Sequence, residues 1–209
     1  MITSGLSVDV QLPNSPVPLF PLPGVFLFPH QMLPLHVFEP RYRQLVSDLL
    51  DGAGRFVIGT PAALARVGAP TSDILPVAGL GEILRHEKRP DGRFHIWVLG
   101  LVRVRIREVP STRLYRQVQC EPFVEIEAGQ AESVDLSRRL REATSARLKE
   151  PLPLPDSAPP SLLADLLLQT LGAPQSVIER AFSEPSVSTR ARLVLHAAAH
   201  APKRPPAGS

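Results

Sequence analysis

The chain has 209 residues, a formal charge of +3, 24 Pro and one cysteine, Cys120, which excludes an intramolecular disulfide and a Cys-rich zinc cage. A basic excess this small, spread along the whole chain, argues against a polycationic nucleic-acid binder. No run approaches the roughly 18 apolar residues of a membrane span, and Pro18, Pro21 and Pro23 break the first apolar run out of any leader-like layout, so a soluble cytoplasmic protein without membrane contact is expected.

Residues 1–15 are expected to be a flexible N-terminus. From Val17 to Phe38 the apolar residues come in short runs, "LFPL", "VFLF" and "LPLHVF", each bounded by Pro or Gly. Pro is confined to strand starts, edges and bulges, so these runs predict short bent strands of a small β-barrel. Pro40 then opens "PRYRQLVSDLLDG", where Tyr42, Leu45, Val46, Leu49 and Leu50 recur at helical spacing and Gly52 follows the end. "RFVIGTP" reads as a buried strand. Residues 80–108 read as a long hairpin around Pro90-Asp91-Gly92, since Pro presets one turn angle and Gly accepts positive φ. In its second arm Val102, Val104 and Ile106 alternate with Arg103, Arg105 and Arg107, which predicts one wet face. A last strand, "YRQVQCEPFVEIE", completes a β lobe over residues 16–127.

Residues 128–200 read as a helical lobe. Val134, Leu136, Leu140 and Leu148 lie loosely on one side of a first helix, and the Pro-rich 151–160 is a connection. Ser161 and Ser186 are predicted caps of later helices, and 201–209 is an expected disordered tail. The fold class is therefore α+β, a small β-barrel lobe with one helix followed by an α-helical lobe.

Catalytic motifs are missing. With Lys only at 88, 149 and 203, no phosphate-binding loop with its Gly-Lys-Ser/Thr ending exists, and no G-x-S-x-G, H-E-x-x-H or C-x-x-C occurs. "GLGEIL" lacks the third glycine of a dinucleotide motif and reads as a close-packed or bulged strand. His196 and His200 share a helix face without a third ligand, so no metal site is assigned. His36 is expected to be a hydrogen-bonded core histidine and Trp97 a core residue.

Burying a Phe side chain is worth roughly 1.5–3 kcal/mol, so Phe20, Phe26, Phe28 and Phe38 together could supply roughly 6–12 kcal/mol, and most of them are assigned to the core. Alternation along "VFLF" puts Phe26 and Phe28 on one face, a candidate groove at the barrel mouth.

"PLFPLPGVFLFPHQMLPLHVFEPRYRQLV" resembles the opening of the Lon protease N-terminal substrate-binding domain, through Pro21, Phe28, Pro29, Leu33, Pro34, Leu35, His36, Phe38, Glu39, Pro40, Arg41 and Tyr42. "PVAGLGEI", "RPDGRFHIWVLGLVRVRI" and the later helical segments are similar to that family as well, over roughly residues 16–199. The resemblance is to the stand-alone bacterial form, without the ATPase and peptidase modules. It implies a PUA-like barrel lobe and a non-catalytic module that needs no cofactor and recognises unfolded or exposed apolar polypeptide, as an adaptor in protein quality control, or else one specific protein partner. Phe26, Phe28, Leu33 and His36 are the candidate substrate contacts. Pro34, Glu39, Pro40, Arg41 and Tyr42 form a structural motif that fixes the turn into the helix. The alternative is an RNA-binding PUA-like protein that uses Arg103, Arg105 and Arg107.

Overall fold

The computed structural model describes residues 10–62, 73–148 and 154–201. Most of the expected N-terminal arm (1–9), the tail from 202 onward and the start of the Pro-rich connection lie outside the described residues. Contacts divide the chain between Phe123 and Val124 into two compact units.

In the first unit the strands are β1 (Val17–Pro21), β2 (Met32–Val37), β3 (Arg55–Gly59), β4 (Val77–Lys88), β5 (Phe94–Val109) and β6 (Arg116–Pro122), with helix α1 (Pro40–Leu50) between β2 and β3. β1 runs parallel to β3 and antiparallel to β6, β3 pairs with β4, and β4 with β5. The C-terminal half of the 16-residue β5 then pairs with β6, from Val104 opposite Pro122 to Val109 opposite Gln117, and this closes a five-stranded barrel. The N-terminal half of β5 takes β2 instead, from Met32 opposite Leu99 to Val37 opposite Phe94. Among the described residues β2 pairs with β5 alone, so it is an edge strand, which is where Pro34 is tolerated.

The hairpin turn forms as its sequence predicts. Gly92 takes φ 77°, its N–H donates to Arg89 O at 2.9 Å, and Asp91 Oδ1 accepts from Arg93 N–H at 3.0 Å. The barrel interior is filled by Leu19, Val57, Leu80, Val104 and Val118, whereas helix α1 buries Tyr42, Leu45, Val46 and Leu49 against a second core cluster on the other side of the strands, with Phe20, Phe56 and Ile58, and the Tyr42 ring stacks on Phe20 with centroids 4.1 Å apart. Glu39 is its N-cap residue through the backbone, its carbonyl accepting from Tyr42 and Arg43 N–H; the Glu39 carboxylate pairs with Arg41 at 2.8 Å instead of capping.

"VFLF" does not form a strand. Residues 22–31 are a loop in which Phe26, Leu27 and Phe28 are all buried, so no alternation applies. Leu27 reaches the core cluster shared with α1 because β4 and β5 present glycine where the loop crosses. A Cβ at Gly79 would lie 2.3 Å from Leu27 O, and one at Gly100 2.0 Å from Phe28 O. Hydrogen bonds from His30 N–H to Gly100 O and from Gly100 N–H to Gln31 O pin the crossing. "GLGEIL" is thus a close-packed strand, with a register shift between Leu80 and Gly81.

In the second unit α2 (Gln130–Ser145), α3 (Pro160–Thr170) and α5 (Val187–His200) pack against one another, and α4 (Gln175–Phe182) contacts α5. On α2 the buried stripe is Leu136, Leu140 and Thr144; Val134 is exposed because it lies off that every-fourth-residue stripe, and Leu148 because it falls beyond the helix, which ends at Ser145. Helix α3 starts one residue before Ser161, with Pro159 at the N-cap, so the predicted Ser161 cap is displaced by Pro160, which is preorganised for a first helical turn. Ser186 does cap α5, its hydroxyl accepting from Thr189 N–H at 3.2 Å. A short parallel bridge joins Ile126 to Ser186. Beneath it Arg190 is fully buried, 2.6 Å from Glu125 Oε1 and 3.8 Å from Asp165 Oδ1.

Candidate binding face

β2 alternates cleanly, and both of its faces are apolar. Leu33, Leu35 and Val37 turn inward onto the core cluster shared with α1, while Met32, Pro34 and His36 turn outward, continued by Phe38 just beyond the strand. Met32 is 46% exposed and Phe38 58%. Cross-strand pairing extends this face onto β5, since Met32 lies opposite Leu99, Pro34 opposite Trp97 and His36 opposite His95. The His36 and His95 rings meet edge to face at 4.8 Å, and His36 lies 5.9 Å from Phe38. From β4, Arg85 covers Trp97 at 4.7 Å while pairing with Glu87 at 2.5 Å, and Leu84 is exposed where the β4–β5 register slips. The result is an apolar and aromatic strip at the sheet edge with a polar border.

This face differs from the sequence expectation in four respects. Phe26 and Phe28, 6% and 4% exposed, lie in the core and offer no groove. Leu33 faces inward for the reason of period, one residue from the outward set. His36 is exposed and not a core histidine, because its place in the alternation is the outer one. Trp97 is only partly buried, against its assignment to the core, while Phe38 is the one of the four opening Phe residues that stands exposed. The signal available in the sequence was the period of two itself: a strand with two apolar faces in a one-layer barrel must leave one of them uncovered.

The Arg-bearing strand does not form a continuous wet row. Arg103 is buried with its guanidinium 5.6 Å from the Phe28 ring, because the register shift at Leu80/Gly81 changes the phase of the exposed side. Arg105 lies opposite Glu121 and near the Phe123 ring, leaving Arg105 and Arg107 as exposed cations on a strand whose neighbours carry acid.

Burial pushes the Cys120 thiol up to about 11. Among the described residues no group of three His, Cys, Asp or Glu could hold a metal; the His196 and His200 rings, 4.4 Å apart, have no third donor, and His200 Nδ1 lies 2.8 Å from His196 O. No helix there is long and apolar enough to cross a membrane.

A closed small barrel joined to a helical unit in the same chain defines the fold. Two solved structures share it: the N-terminal domain of Mycobacterium avium complex Lon protease (TM-score 0.65, 15% identity, 89% of this chain and 99% of that one) and the Lon N-terminal domain protein of Xanthomonas campestris (TM-score 0.63, 20% identity, 90% and 99%). The profile of the ATP-dependent protease La (LON) substrate-binding domain matches residues 16–200, and the chain belongs to that family. Among curated relatives it is 30% identical over 196 residues to Lon protease 2 of Sorangium cellulosum and 29% over 165 residues to Lon protease of Trichlorobacter lovleyi. These alignments cover 86% and 75% of this chain but only 24% and 20% of the relatives' lengths. The matched region is the substrate-binding one.

Proposed function

We propose that this substrate-binding module captures unfolded or exposed apolar polypeptide segments on the outer face of β2 and β5, and that it serves as an adaptor in protein quality control. One observation carries the reading: Met32 and Phe38 stand exposed at the two ends of one strand face, with Trp97 and Leu99 beside them. A large uncovered apolar surface on a folded domain is costly in water unless a partner covers it. Pro34 lacks the N–H an added strand would need, which blunts backbone pairing at this edge. Side-chain contacts therefore supply the affinity. The burial of Arg103 weighs against the RNA alternative.

Trp97 is the sole tryptophan and lies on the face, so its emission reports occupancy directly. Titrating a permanently unfolded polypeptide should shift Trp97 emission to the blue with little dependence on salt. Phe38→Asp should weaken binding by about tenfold or more, the scale of a buried aromatic anchor. Unchanged Trp97 emission, or a Phe38→Asp protein that binds as tightly as its parent, would overturn the reading. Salt-steep binding of single-stranded RNA would favour the alternative, and response to a folded protein alone would point to one specific partner.

A further inference from the structure

We infer that a basic pocket between α1 and the β4–β5 turn binds a carboxylate, carried, on the reading above, by the polypeptide held on β2. The pocket has a volume of about 340 Å³. One stripe of α1 supplies Pro40, Arg43, Gln44 and Ser47, the faces at i, i+3, i+4 and i+7, while the hairpin supplies Lys88 and Phe94. This stripe is distinct from the buried one at Tyr42, Leu45, Val46 and Leu49.

The charge around the pocket is unbalanced in one direction. Neither Arg43 nor Lys88 forms an ion pair or hydrogen bond with a described residue; Lys88 rests over the Phe94 ring at 5.7 Å. Each nearby acid is already engaged: Glu39 with Arg41 at 2.8 Å, Glu87 with Arg85 at 2.5 Å, and Asp91 with Arg93 at 3.3 Å. Asp48 accepts from the Tyr115 hydroxyl at 2.8 Å and lies 3.4 Å from Arg113. Gln44 Oε1 accepts from Leu114 N–H at 3.2 Å, which leaves the amide NH2 as the group to donate. The Arg43 guanidinium lies against Gly92 and its charge also acts on Asp91, so the pocket holds two cations, an amide N–H and the Ser47 hydroxyl beside carboxylates that are each paired with another arginine or hydrogen-bonded elsewhere.

A planar guanidinium is suited to a carboxylate's two oxygens, and charge-assisted bonds of that kind are the strong ones. Pro40 and the Phe94 ring make an apolar wall that limits hydration of such a pair. The volume sits at the small end of ligand pockets, enough for one carboxylate head and its stem but not for an extended chain. The pocket lies at the end of β2, because Pro40 follows that strand within three residues; Val37 and Phe94 carry their side chains on the inward side, so a chain held on the outer face reaches the pocket around the end of the strand, past Phe38. An acidic side chain and a chain's own C-terminus present the same chemistry here.

The test is NMR on the full chain, reading Gly92 N–H and the Gln44 side-chain amide while titrating N-acetyl-glutamate N-methylamide or its glutamine counterpart at fixed ionic strength. Saturable shifts with the glutamate probe alone are expected, lost in Arg43→Gln and weakened several-fold in Lys88→Gln, with thermal melts of both variants unchanged. No shift, equal shifts with both probes, or an unaffected Arg43→Gln protein would overturn the inference. Apolar octapeptides then identify the carrier through Trp97 emission: loss of affinity on Glu→Gln assigns an acidic side chain, and loss on C-terminal amidation assigns the terminus. Peptides that bind equally well in all forms would sink this inference and leave the β2 reading intact. Glutamate-probe shifts with every peptide silent would sink the β2 reading and leave the carboxylate pocket standing.

Discussion

Removing the buried cation of the helical unit is the sharpest test of how that unit is held. Arg190 has no exposed surface, and its Nη1 donates to Glu125 Oε1 at 2.6 Å and to Glu184 O at 3.4 Å. Asp165 on α3 is nearly as buried, 3.8 Å from Arg190 Nε, so α3, α5 and the segment before α2 meet at one charge cluster. Arg190→Met roughly keeps the volume and removes the charge, leaving the buried Asp165 and the partly buried Glu125 without their cation. Breaking a buried pair in this way costs about 3–5 kcal/mol. For a unit of this size each kcal/mol lowers the melting temperature by about 4–8 °C, so the fall should be at least about 12 °C, read by far-UV circular dichroism of the full chain. The pair's net worth is smaller than that loss, because Arg190 Nε and Nη2 have no hydrogen-bond partner to offset their desolvation. Combining Arg190→Met with Glu125→Gln and Asp165→Asn should therefore recover most of the stability. A single variant that melts within about 2 °C of the parent, or a triple variant no better than the single, would refute this account of the cluster.

The close crossing of the 22–31 loop predicts that Gly79→Ala and Gly100→Ala each lower the midpoint of urea unfolding sharply, since the methyl group meets backbone oxygens at 2.3 and 2.0 Å that cannot turn aside. Gly129→Ala, with nothing within 4 Å of its Cβ, should leave it nearly unchanged. The two tyrosines predict a pH response. Burial raises both, Tyr115 to about 12 with further help from its hydrogen bond to Asp48 and that residue's charge. A folded value above the unfolded value of about 10 means that their contribution to stability is complete below about pH 10 and is lost as pH rises toward the folded value. Ultraviolet titration of the native protein should thus show no tyrosinate near pH 10, and urea midpoints should fall between there and about pH 12; a normal tyrosinate titration in the folded protein would contradict it.

What was legible in the sequence was what depends on neighbours along the chain. The Arg89–Arg93 turn follows from Pro90-Asp91-Gly92, α1 from the spacing of Tyr42, Leu45, Val46 and Leu49, and the Ser186 cap from its own hydroxyl. What failed depends on partners far away. Phe26, Leu27 and Phe28 look like alternating strand residues until Gly79 and Gly100, 50 or more positions later, make room for all three as a loop. Arg103 looks solvated until a shift in pairing with β4, which leaves Leu101 of its own strand unpaired, changes which side is wet. Val134 looks apolar enough for a core that the helix geometry gives to Leu136 and Leu140.

The same reasoning accounts for why the uncovered face falls on β2 and nowhere else in the Pro-interrupted opening. β1 pairs on both sides, with β3 and with β6, and its residues from Val17 to Phe20 are all buried. The next run, Phe26 to Phe28, has no strand partner, and its side chains sink into the space that glycines leave on β4 and β5. Among the described residues the third run, Met32 to Phe38, has β5 as its one strand neighbour, and Met32, Pro34, His36 and Phe38 are exposed. Each Pro between runs ends one pairing and lets the chain change direction before the next begins. A continuous strand of that composition would have had to bury or expose all its Phe together. Broken by Pro, the stretch places Phe20, Phe26 and Phe28 inside, where they stabilise the fold, and Phe38 outside, at the end of the uncovered face of β2.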